Sequence, residues 1–340
     1  MKKKILAFVI FVLTLFMAFT LSGCDFIDWI NGENENLQYQ RIAGKDEYRV
    51  IGIGNVSELD IVIPSTYKGK PVTSIRDGAF SFCSDLTSVK IEENITSIGE
   101  SAFYGCTSLT SITIPNNVTT IESNAFYECT SLTSITIPNS VTNIGLFAFD
   151  SCPIENATVP AIACSYINNQ SLKSVTITNG KSIGDRAFYN CTSLTSIEIP
   201  ESVTSIGSSV FYNCTSLTSI EIPESVTSIG NSAFNNCPIK TAIVPAIACS
   251  YIKNSKLKEL TITGGNIDSS VFSYCTSLTN ITIGNSVTSI GSFAFDSCSS
   301  LISINFNGTK AQWNDISKGR LWNFKIPATY VTCTDGSVNI

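Results

Sequence analysis

The chain has 340 residues, with 21 Lys and Arg against 27 Asp and Glu, a net charge of −6, and no histidine. Missing imidazoles exclude Ser-His-Asp and Cys-His nucleophilic catalysis and most catalytic zinc sites. The acidic balance excludes nucleic acid as a partner and adhesion through a polybasic patch.

Residues 1–23 read as a secretory leader. Lys2, Lys3 and Lys4 precede an apolar run from Ile5 to Phe19, followed by Leu21-Ser22-Gly23-Cys24. A basic start, an apolar core too short to span a membrane and small residues mark a cleaved signal. The Leu-Ser-Gly-Cys ending resembles the bacterial lipobox, which implies cleavage before Cys24 and lipidation of that cysteine. Residues 24–40 carry Asp25, Asp28, Glu33 and Glu35 and read as an acidic tether. Residues 41–58 alternate polar and apolar side chains, as a strand or hairpin capping the next segment would.

Residues 59–305 repeat one phrase. CTSLTSITIP runs from Cys106 to Pro115 and again from Cys129 to Pro138; CTSLTSIEIP runs from Cys191 to Pro200 and from Cys214 to Pro223. The cysteines step by 23 residues through Cys83, Cys106, Cys129 and Cys152, then through Cys191, Cys214 and Cys237, and again from Cys275 to Cys298. A fixed period of this length marks a solenoid, whose coils bury a core only by stacking.

Within one coil, Leu109, Ile112 and Ile114 place a strand with alternate residues inward, and Pro115 ends it. Val118 and Ile121 return to the core, and Ala125-Phe126 closes it in a short helical or irregular turn. Gly99, Gly145, Gly207, Gly230 and Gly291 hold one phase, which predicts a turn with positive φ; Glu122 breaks the pattern. Two shorter units, 153–170 and 238–256, share the phrase VPAIACSYI and read as coils with a shortened return. Residues 306–340 lose the pattern and carry Trp313, Trp322 and Tyr330, as a terminal cap would.

These motifs, C-x-x-L-x-x-I-x-I-P followed by V-T-x-I-G-x-x-A-F, resemble the BspA-like leucine-rich repeat family of bacterial surface proteins. The phrases YRVIGIG, YKGKPVTSI, GTKAQW and CTDG resemble it too. The resemblance implies a β-rich, α+β leucine-rich repeat solenoid of about 12 coils of ~23 residues with a parallel sheet face, capped at both ends. It also implies a cell-surface role. The family includes adhesins for host matrix proteins such as fibronectin and fibrinogen. A continuous asparagine ladder is not expected, because Ser140, Ser202, Ser225 and Ser286 stand where Asn117 does in its coil. Serine hydroxyls, backbone or water would satisfy that turn.

The outward strand positions form the candidate binding face: Lys90, Thr113, Thr136, Thr176, Glu198, Glu221, Thr261, Thr282 and Asn305. A parallel row begins Ser88, Ser111, Ser134 and continues Ser174, Ser196, Ser219, Glu259, Asn280, Ser303. Such residues also suit any exposed strand. Tyr104, Tyr127, Tyr189 and Tyr212 recur at one phase and form a candidate aromatic row on the outer side. The cysteines after Cys24 read as buried thiols, or as bridges between neighbouring coils in an oxidising envelope. No C-x-x-C pair suggests a metal, and no cofactor is expected.

The function expected is a lipid-anchored, surface-displayed, non-enzymatic protein that binds protein or glycan through its repeat faces. It touches the membrane only through its lipid and acts as a monomer. The alternatives are a structural envelope protein that self-associates and, remotely, a glycan hydrolase using Glu198 and Glu221 as a carboxylate pair.

Overall fold

The computed structural model describes residues 37–54 and 60–340. The fold is a β-solenoid, with about 12 turns along the chain. It divides into two compact units, one ending at Ile154 and one running Glu155–Ile340.

In the first unit each coil has three walls. The first is a parallel sheet of Asp60–Ile63, Ser88–Ile91 and Ser111–Thr113, in register Asp60↔Ser88↔Ser111. Alternation buries Val89, Ile91, Ile112 and Ile114 and leaves the residues between them outside. The second wall stacks Lys70–Ile75, Ser97–Ile98, Thr120–Ile121 and Asn143–Ile144 in parallel. An antiparallel hairpin, Leu37–Arg41 with Tyr48–Ile53, precedes them, and its second strand pairs with Lys70–Ile75.

The third wall is neither helical nor irregular, contrary to the sequence expectation. It is a ladder of tandem turns. Ser101, Phe103 and Gly105 donate backbone N–H to Ser123, Ala125 and Tyr127 of the next coil, while Ala102, Tyr104 and Cys106 bond within their own coil. This alternation requires left-handed residues at fixed phases, and Ser101, Asn124, Glu128 and Ser151 supply them with φ of 54–60°. Most are not glycine.

Between the walls runs a column of phenylalanines. Phe80, Phe103, Phe126 and Phe149 stack face to face with centroids 5.0, 5.3 and 5.1 Å apart. Stacking covers the ring faces, so their burial depends on neighbouring coils.

The second unit repeats this plan. Asn156–Val159, Ser174–Ile177 and Ser196–Glu198 pair in parallel, as do Ser219–Glu221, Thr241–Val244, Glu259–Ile267, Asn280–Ile290 and Ser303–Phe306. The two short coils are coils with a shortened return, as the sequence suggests. Their returns are a 3-10 helix at Ala161–Tyr166 and a helical segment of Ala246–Ala248 with Cys249–Ile252.

The backbone carries the repeat beyond Asn305. Phe293 and Phe295 donate to Arg320 and Trp322, so Trp322 occupies the place of an alanine in the preceding coils. A helix at Lys310–Asp315 follows a Thr309–Gln312 capping box and buries Trp313 against Phe306 and Trp322. Tyr330 stays exposed.

The phased glycines do not have positive φ. A Cβ on Gly145 would lie 2.2 Å from the Ser123 amide nitrogen, and one on Gly230 would lie 2.4 Å from that of Ser208. Glycine is required there because backbones of adjacent coils touch.

Candidate functional site

The outward positions of the first-wall strands form one polar face in each unit. In the first unit Lys90, Thr113 and Thr136 are exposed, and Lys90 pairs across the sheet with Thr113. Val62, absent from the sequence-derived row, flanks Lys90 on the other side and is 52% exposed. Asp60 lies in the parallel row and accepts hydrogen bonds from Ser88 and Thr87 hydroxyls. Those bonds hold its carboxyl below the usual range.

In the second unit one row runs Thr158, Thr176 and Glu198 in register. A second stretch runs Glu221, Ile243, Thr261, Thr282, Asn305 and Thr332. Glu198 and Glu221 are exposed; Thr176, Thr261, Thr282 and Asn305 are half-buried. The sequence reading missed Thr158, Ile243 and Thr332 because it counted from cysteines. Counting back from Pro160 and Pro245 would have found the first two, since each stands two residues before its proline.

A groove of 390 Å³ opens on this face, lined by residues from Ser196 to Thr261 of four successive strands. Glu221 lines it and Glu198 does not. Glu198 instead accepts the Thr176 hydroxyl at 3.1 Å. The two glutamates therefore do not converge on one cavity.

The tyrosine row is half-buried on the turn wall. Tyr104 and Tyr127 stack at 5.2 Å, and Tyr189 and Tyr212 at 5.1 Å, within 9° and 8° of parallel. Stacking uses the facing ring surfaces, so the ribbon presents edges and hydroxyls to solvent. Phe82 packs edge-on against Tyr104, and Arg186 sits over Tyr189 at 5.8 Å.

The cysteines belong to the interior. Among the described residues eleven are free and buried. Cys106, Cys129 and Cys152 donate S–H to the carbonyls of Phe80, Phe103 and Phe126 in the preceding coil at 3.0, 3.2 and 3.0 Å. Cys214, Cys237 and Cys298 repeat this toward Phe188, Phe211 and Phe272. Burial pushes the Cys106, Cys164 and Cys191 thiols up to about 12. The hydrogen bond with Cys237, in which Cys214 holds the proton, and burial raise Cys214 as well. Such thiols are poor nucleophiles.

The serine substitutions work as expected at three sites. Ser140, Ser225 and Ser286 hydroxyls donate to Val118, Val203 and Thr263 carbonyls of the preceding coil at 2.7, 2.7 and 2.8 Å. Ser202 is exposed. Among the described residues no group of three or more His, Cys, Asp or Glu is placed to hold a metal ion, and no helix is long and apolar enough to cross a membrane. Cys24, the expected lipidation site, lies outside the described residues, as do the leader and nearly all of the acidic tether.

No curated protein matches the chain. Among solved structures, a leucine-rich repeat protein from Bacteroides ovatus is 26% identical, covering 87% of this chain and 89% of its own, with a TM-score of 0.43. A leucine rich cell surface protein from Faecalibacterium prausnitzii is 28% identical, covering 84% of this chain and 97% of its own, with a TM-score of 0.37. The family profile described as BspA type leucine rich repeat region, in 6 copies, matches residues 59–178, 161–263 and 246–332. With that match over most of its length, the chain belongs to the BspA-type leucine-rich repeat family.

Proposed function

We propose that the chain is a lipid-anchored protein of the bacterial cell surface that binds protein or glycan partners through its strand faces. One observation carries the reading: the first-wall strands of each unit turn a largely polar face outward, with a groove in that of the second unit, while the core and hydrogen-bond ladders lie behind. Family membership supports surface display, and the Leu21-Ser22-Gly23-Cys24 sequence supports the lipid anchor. The face binds its partner without turning it over. The glutamates at 198 and 221 share no cavity that would hold a scissile bond between them.

The test is retention of the full chain, purified in detergent, by immobilised fibronectin, fibrinogen, a glycan array and whole host cells at physiological salt. Saturable binding to any of them supports the reading. No binding, together with concentration-dependent self-association in sedimentation, replaces it with a structural envelope role. Cys24→Ala should shift the protein from the membrane fraction to the soluble fraction; retention in the membrane would remove the lipid anchor.

A further inference from the structure

The groove of the second unit narrows the choice of partner. Its floor is the strand Thr241–Val244 of a short coil, and Ile243 stands in it 42% exposed. Ser219, Thr241 and Thr261 offer hydroxyls around that aliphatic side chain, and Glu221 and Glu259 are carboxylates of the same lining. Among the described residues neither glutamate takes part in an ion pair. Lys240 and Lys258, one residue before their strands, are exposed but do not line the groove.

The lining contains no aromatic and no basic residue. A sugar ring therefore has no platform to stack on, and an anion meets only like charge. An apolar small molecule finds one exposed aliphatic side chain, Ile243, because Ile197, Ile220, Ala242 and Leu260 of the same lining are buried. A cation next to an aliphatic group meets both features at once. Four strands at about 4.8 Å give a length of roughly 14 Å, enough for about five residues of an extended chain.

We propose that this groove takes a short extended peptide segment of a protein partner, with a Lys or Arg beside an aliphatic side chain. The aliphatic group packs on Ile243, and the cation lies between Glu221 and Glu259. The proposal rests on the reading of the strand face as a binding surface.

The probe is an array of short immobilised peptides. Central Lys-Leu and Arg-Leu pairs are compared with Glu-Leu, Ser-Leu and Lys-Ser, and the glycan array and matrix proteins are run in parallel. The full chain is compared with Glu221→Gln/Glu259→Gln and with Glu201→Gln, an exposed loop carboxylate outside the groove. The Lys-Leu and Arg-Leu peptides should be retained, weakened by salt and roughly tenfold by the double substitution, and unaffected by Glu201→Gln. Equal retention of Glu-Leu and Lys-Leu peptides would overturn the proposal while leaving the binding face intact. So would binding of a glycan or matrix protein that the double substitution does not alter. If no peptide, glycan or matrix protein is retained, the binding reading itself falls.

Discussion

Replacing Cys129 tests whether the cysteine column is a hydrogen-bond ladder or only filling. Its Sγ is fully buried and donates to the Phe103 carbonyl at 3.2 Å, a carbonyl that also accepts the Cys106 amide at 3.3 Å. Cys129→Ala removes one of two donors, so the hydrogen-bond part costs about 1 kcal/mol and not the penalty of a fully orphaned carbonyl. Lost burial of the sulfur and the small cavity left behind add about 1–2 kcal/mol. The sum is roughly 2–3 kcal/mol. Cys129→Ser keeps a donor and loses apolar volume, and should cost about 1–2 kcal/mol. Cys129→Val keeps volume, loses the donor, and crowds a stack about 5 Å per coil, for about 1–3 kcal/mol. The assay is urea unfolding by circular dichroism, accepting only variants whose m-value matches wild type. The decisive comparison is serine with alanine. If serine is as destabilising as alanine or worse, the S–H bond contributes nothing and the column is packing.

Raised thiol values make stability depend on alkaline pH. Cys106, Cys164 and Cys191 have folded values near 12 against an ordinary 9.0, so each stabilises fully below pH 9 and loses that contribution as pH rises toward 12. At pH 10 the three together lose about 4 kcal/mol, and alkylation of the thiols should track unfolding across that window; reaction with the folded chain at pH 9 would contradict their burial. Trp313→Ala removes a side chain that is 1% exposed between Phe306 and Trp322 and should cost about 3–5 kcal/mol in urea unfolding; a cost below about 1 kcal/mol would mean the second unit does not need its end covered. Gly145→Ala and Gly145→Asn should both destabilise by about 1–3 kcal/mol, because either Cβ meets the Ser123 backbone. Tolerance of asparagine alone, measured by thermal melting, would return the left-handed reading of that position.

The strand wall was legible because alternation is a local signal: Ile112 and Ile114 point inward whatever surrounds them, and Pro115 marks the end. The phenylalanine column and the serine hydroxyls at 140, 225 and 286 were legible from phase. The turn wall was not. Its left-handed residues include Glu128, Phe147 and Arg186, which no turn preference would select, since inter-coil hydrogen bonds impose the conformation. The phased glycines misled for the same reason. The cause is contact with the next coil's backbone, which no single repeat displays, and Arg76, Glu122 and Asp268 show that other coils admit a side chain there. The outward rows were incomplete because short coils shift the cysteine count, hiding Ile243. At the end, Gly319 falls out of the 23-residue phase yet takes the place of Gly291 in the strand register, so the coil that continues past Asn305 was hidden from a count of the repeat. A Cβ on Gly319 would lie 2.3 Å from the Ser292 amide nitrogen.

The walls separate the residues that hold the fold from those that do not. Inward side chains are held by the stack, and backbone groups are satisfied by neighbouring coils, so outward residues on the strand face carry little of the folding free energy. Thr113 and Thr136 could exchange with other β-formers at a cost within about 0.5 kcal/mol. On such a face a hydroxyl is the uninformative choice and a departure from it is informative. Asp60, Val62 and Lys90 in the first unit depart from it, as do Asn156, Glu198, Glu221, Ile243, Glu259, Asn280 and Asn305 in the second. Three of these, Glu221, Ile243 and Glu259, line one groove. Replacing all three by threonine should leave the urea midpoint nearly unchanged and remove peptide retention. A large loss of stability would place these residues in the scaffold and take the groove out of consideration as a binding site.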